Sequence, residues 1–123
     1  MSPKAKSQLA REHLERALPA EVADDYTEAA TWLFASLEAA ISALAEQRGV
    51  SIEPKHWQKA DVAKQLHAQG DVPTDFAPAL RMLNDARKEA VYEGVEPDLG
   101  GESLRDLAAQ VQSAVDLAEA GLP

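Results

Sequence analysis

The chain contains no cysteine, which excludes disulfides, thiolate metal sites and cysteine nucleophiles. Aromatic residues make up only 5%. The core must therefore be built from leucine, valine and isoleucine, with alanine letting helices approach closely. No run of about 18 apolar residues occurs, so no segment is expected to span a membrane. Met1 to Arg16 carries charges throughout and holds no apolar signal core. Together with the absence of cysteine, this places the chain, as an expectation, in the cytoplasm. Basic residues are few: 12 Lys and Arg stand against 21 Asp and Glu, a net charge of −9. Proteins that grip nucleic acid by neutralising phosphates are usually basic, so duplex DNA is not an expected partner. A small local basic site remains compatible with the balance, because charge is read within about a Debye length, roughly 8–10 Å. A Gly-rich phosphate loop, a G-x-S-x-G elbow and a zinc motif are all missing, and no cofactor is expected.

What is present reads as helix throughout. The 123 residues suit one domain, and 46% hydrophobic with 27% charged residues is a globular balance. Pro and Gly divide the chain into five helical segments. The first runs from Pro3 to Leu18, with a narrow stripe of Ala10, Leu14, Ala17 and Leu18, and Pro19 is expected to end it. It is the least tied down of the five, and residues 1–19 are expected to be a mobile N-terminal helix beside a bundle formed by residues 20–123. The second segment, Ala20 to Arg48, is long. Ala30, Leu33, Leu37, Ala40, Ile41 and Leu44 follow the i, i+3, i+4, i+7 rule. Trp32, Ser36, Ala39 and Ala43 form a second stripe, which predicts a central helix packed on more than one side. Gly49 is its stop. The third segment spans Lys55 to Gln69 and stops at Gly70. The fourth is expected from Asp75 to Tyr92, with Asp75 as N-cap and Pro78 at N3. A loop with Pro97 and two glycines follows. The fifth runs from Glu102 to Ala120 and buries Leu104, Leu107, Ala108, Val111, Val115 and Ala118.

One constellation stands out. On a 100° wheel, Phe76, Leu80, Leu83 and Val91 of the fourth helix share a face, and Arg87 falls among them. A guanidinium on an apolar stripe is expensive unless it is paired or faces a cleft. Two readings follow. In one, Arg87 reaches the surface or pairs with a carboxylate of the second helix such as Glu28. In the other, it binds an anion or acts in catalysis at a groove or dimer seam.

The stretch Leu83-Asn84-Asp85-Ala86-Arg87-Lys88-Glu89-Ala90-Val91-Tyr92-Glu93-Gly94 resembles the signature helix of the HEPN superfamily. Glu28-Ala29-Ala30-Thr31-Trp32-Leu33-Phe34-Ala35 is similar to that family's long first core helix, and Lys55-His56-Trp57 through Gly70 to its short following helix. The resemblance implies an all-α fold, an antiparallel four-helix up-and-down bundle, here with an extra N-terminal helix, and it implies a homodimer. It also implies a metal-independent ribonuclease site of an arginine followed four to six residues later by a histidine. Arg87 takes the arginine position, suited to clamp a phosphate, with Lys88 beside it and Glu28 and Asn84 in support. The histidine position falls on Tyr92, and tyrosine, with an unperturbed pKa near 10, is a much poorer general base than histidine. The expectation is therefore a non-catalytic or weakly active domain binding RNA or nucleotide near Arg87, in a prokaryotic defence or toxin–antitoxin setting. A structural module for a cognate partner protein, or an active ribonuclease using Arg87 and Tyr92, are the alternatives.

The remaining polar features have plainer readings. His56 and His67 lie about 16 Å apart along the third helix, too far for one metal, and His13 is expected on the exposed side of the first. Glu53-Pro54-Lys55-His56 matches one half of a bundle di-metal motif but has no second copy. Glu21, Asp24, Asp25 and Glu28 complement the dipole at the start of the second helix. The acidic loop from Glu93 to Glu102 would repel an RNA backbone approaching from that side.

Overall fold

The computed structural model describes residues 3–23, 25–50, 56–93 and 103–121, and for residues 3, 56–58 and 89–93 the backbone alone. The described residues form five helices and no strand: α1 (Pro3–Val22), α2 (Tyr26–Gln47), α3 (His56–Ala68), α4 (Ala77–Glu93) and α5 (Leu104–Ala120). The all-α bundle expected from periodicity is the fold observed.

The central helix is α2, which touches all four others, and its most extensive partner is α1. Both stripes read from its sequence are used. Ala30, Leu33, Leu37, Ala40 and Ile41 are fully buried, and so are Ser36 and Ala43 of the second stripe. On α5, Leu107, Val111, Val115 and Ala118 are fully buried, with Ala114 filling the same face. Ala-rich faces allow the close approach: a methyl side chain lets backbones come together without leaving a void.

The extra N-terminal helix is built into this core. Ala10, Leu14 and Ala17 are fully buried, and α1 packs on both α2 and α5. The Ser36 hydroxyl donates to the Ala10 carbonyl at 2.7 Å, which satisfies a buried polar group. Lys6 pairs with Glu46 of α2. Arg11 reaches α5, donating to Asp116 Oδ1 at 2.8 Å and to Glu119, and these two carboxylates raise its pKa further above the ordinary arginine value. Leu18, expected on the buried stripe, is instead 39% exposed.

The break between α1 and α2 falls later than Pro19. The helix runs through Pro19, whose carbonyl still accepts from Ala23 N at 3.1 Å. The chain turns where a cap is available: Asp25 Oδ1 accepts from Glu28 N at 3.2 Å and starts α2. Gly49 and Gly70 stop α2 and α3 as expected. Each has positive φ, 71° and 79°, and each is followed by a residue whose N–H returns to the carbonyl five residues earlier, Val50 to Ala45 and Asp71 to Leu66. That is the Schellman geometry, which a Cβ disfavours.

The fourth helix starts at Ala77, two residues after the expected cap. Asp75 Oδ1 nevertheless accepts from Ala77 N at 2.9 Å, so the same side chain does the capping from one position further out. Ser103 caps α5 reciprocally: its hydroxyl accepts from Asp106 N at 3.1 Å, and Asp106 Oδ2 accepts from Ser103 N at 3.0 Å. The Ser103 backbone N–H first, and the Ser103 side chain second, hold the Asp106 carboxyl below its ordinary pKa.

Candidate anion-binding pocket

The fourth helix sets the site. Leu80 and Leu83 are buried on its inner face, with Phe76 buried just ahead of its first turn, and Arg87, one turn beyond Leu83, is carried onto the edge of that face, half-buried. Two contacts fix its guanidinium. The carbon of the guanidinium lies 4.8 Å from the centroid of the Phe34 ring, presented by α2. Nη2 donates to Asn84 Oδ1, one turn back on α4, at 2.8 Å. Nε is shut off from solvent and has no hydrogen-bond partner among the described residues. A buried N–H left unmade carries a penalty of about 1–3 kcal/mol and calls for an explanation.

Beside this group lies a cavity of about 330 Å³ between α2, α3 and α4. Phe34, Ala60 and Leu80 make its apolar floor, and Arg81, Asn84, Arg87 and Lys88 its polar wall. Positions 81, 84 and 88 follow helical spacing, so they line one side of α4 with Arg87 at the inner edge. Among the described residues, none of the three cations takes part in an ion pair, and no carboxylate lines the cavity. Three positive charges therefore converge on one concave surface of a protein whose net charge is −9. A smaller cleft of about 280 Å³ between α1, α2 and α3 has the opposite character. Its lysines are already matched, Lys59 to the nearly buried Glu38 at 3.5 Å and Lys6 to Glu46.

The residues singled out in the sequence are divided by the fold. Arg87, Lys88 and Asn84 come together at the cavity. Glu28 does not join them. Its carboxylate accepts from Trp32 Nε1 at 2.7 Å, and Trp32, two residues before Phe34, faces α1, because successive helical positions turn by about 100°. Tyr92 lies in the last turn of α4, its side chain outside the described residues, as are the side chains of His56 and Trp57, the residues Glu53 to Lys55, and most of the acidic loop from Glu93 to Glu102. His67 is exposed, with Nδ1 3.2 Å from the Val72 carbonyl.

His13 is not on an exposed face. It is half-buried, its ring stacked on Trp32 at 5.1 Å, while the Arg16 guanidinium lies 4.8 Å from the Trp32 ring centroid. Burial, then the Arg16 charge, push the His13 pKa down; Glu12 opposes them. No group of three or more His, Asp or Glu residues able to hold a metal occurs among the described residues. Three members of the cavity, Arg81, Phe34 and Ala60, are not marked as site residues by the sequence. Arg81 carried only a spacing signal, seven residues before Lys88, and Phe34 none that linked it to Arg87, since the two lie on different helices.

No family model, no curated protein and no solved structure matches this chain. The class defined by fold and site is an all-α bundle with a cationic, apolar-floored pocket. No helix among the described residues is long and apolar enough to cross a membrane.

Proposed function

We propose that this chain is an HEPN-like helical domain that binds a phosphate-bearing ligand, RNA or nucleotide, in the pocket around Arg87. One observation carries the reading: the half-buried Arg87 guanidinium is held in a concave site with Arg81 and Lys88, and no carboxylate among the described residues neutralises it. Charge-assisted hydrogen bonds from arginine to phosphate oxygens are short, strong and geometrically specific. The apolar floor gives a planar base or ribose a surface to cover.

The described polar lining residues are arginine, asparagine and lysine, donors that hold an anion. None is a group that shuttles protons near neutrality. The reading is therefore binding with little or no cleavage, within the homodimer that the family resemblance implies.

The test is a titration of the protein with ATP and with a short oligouridylate, followed by calorimetry at low and high salt. Wild type should bind at least one of the two, more weakly as salt rises, and Arg87→Ala should lose at least about tenfold in affinity, roughly 1.4 kcal/mol. Binding of neither probe, or binding indifferent to Arg87→Ala, rejects the proposal and leaves a protein-interaction module as the better reading.

A further inference from the structure

Phe34 is 4% exposed and belongs to the apolar core, a place that aliphatic side chains also occupy. Its ring does something leucine cannot. It lies against the Arg87 guanidinium, 4.8 Å from ring centroid to guanidinium carbon, where the negative face of an aromatic ring attracts a cation. The donors of a guanidinium all lie in its plane. A contact made through the π face of the ring places no acceptor atom of its own against those donors.

Asn84 completes the arrangement by accepting one in-plane N–H from Nη2 at 2.8 Å. One N–H is thus engaged by Asn84, and Nε, shut off from solvent, has no partner among the described residues. Arginine has a long, rotamer-rich side chain, and ordering it at the moment of binding weakens affinity. A guanidinium already pinned by ring and amide loses less on binding.

We infer that Phe34 is a positioning residue for the pocket: its π face orients the Arg87 guanidinium before ligand arrives, and so raises affinity for an oxyanion that Phe34 itself does not touch. This rests on the anion-binding reading of the pocket. The strength of such contacts implies that losing the ring's negative face weakens binding roughly two- to thirty-fold.

Progressively fluorinated phenylalanines at position 34 drain the ring face while nearly keeping its shape, so a packing role alone would leave them silent. Two quantities are read in the intact protein: affinity for inorganic triphosphate, which carries no base or ribose to cover the Phe34 ring, and the water-exchange rate of the Arg87 Nε proton without ligand. The expected result is a stepwise fall in affinity with each fluorine, together with faster Nε proton exchange, while unfolding stays a single transition whose midpoint falls by no more than the few degrees that the lost contact accounts for. Phe34→Leu should resemble the most fluorinated ring, and Phe34→Tyr should retain most of the affinity. If Arg87→Ala abolishes binding but fluorination changes neither quantity, the positioning role is overturned and the anion-binding reading stands. If wild type does not bind triphosphate, the role of Phe34 falls, and if it binds neither ATP nor oligouridylate either, the anion-binding reading falls with it.

Discussion

Replacing Leu14 by alanine probes whether α1 folds as part of the bundle. Leu14 is fully buried on a helix that packs against α2 and α5. Its same-face neighbours on α1, Ala10 and Ala17, are also fully buried. Being alanines, they have no side-chain length with which to fill the space a shortened Leu14 would leave. A fully buried Leu→Ala change costs about 2.7–5 kcal/mol, and sites that collapse poorly lie toward the upper part of that range. A chain of 123 residues is stable by roughly 6–18 kcal/mol, at about 0.05–0.15 kcal/mol per residue. The substitution should therefore remove a substantial share of the total. The measurement is urea unfolding followed by circular dichroism. The midpoint should fall with the slope unchanged and a single transition retained, and the thermal midpoint should drop by roughly 10 °C. Leu18→Ala, at a position 39% exposed, should cost less than about half as much. An unfolding free energy within about 0.5 kcal/mol of wild type, with faster amide exchange confined to α1, would refute the reasoning. It would mean that α1 lies outside the cooperative unit.

Two further predictions concern acid. His13 has its pKa lowered by burial, so the folded state binds its proton less readily than the unfolded chain. Its contribution to stability should be complete above about 6.5, the ordinary histidine value, and should decline as pH falls below it; NMR titration of its ring should give a midpoint below that value, and His13→Phe should flatten this part of the pH profile. Asp106 behaves in the opposite range. Its lowered pKa, set first by the Ser103 backbone N–H, makes its contribution present above the ordinary carboxylate range and lost as pH falls through the lowered value. Ser103→Ala keeps that N–H and removes the hydroxyl, so it should bring the Asp106 titration only partway back toward that range, and an unmoved midpoint would count against the side-chain half of the cap.

The helices themselves were legible because their signals are local. Apolar residues recurring every three to four positions mark a helix face wherever the helix docks, and that pattern picked out the buried positions of α2 and α5. Gly49 and Gly70 were legible as stops because a positive φ is a property of the residue itself. Arg87 drew notice for the same reason: its place on an apolar stripe follows from counting along one helix.

Other features depended on how helices meet. α1 continues past Pro19 to Val22, and α2 starts at Tyr26, because the Asp25 side chain is placed to cap it. His13 is half-buried because α1 lays it on Trp32 of α2. Glu28 serves Trp32 and Phe34 serves Arg87, since residues on opposite sides of α2 face different neighbours. Sequence by itself determined which residues form helices and which face of each is apolar, because both are set by backbone propensity and by spacing within one segment. The partner across each interface was decided only in three dimensions. Crossing angle and axial register between helices emerge from packing the whole core at once, and no single stretch of chain encodes them.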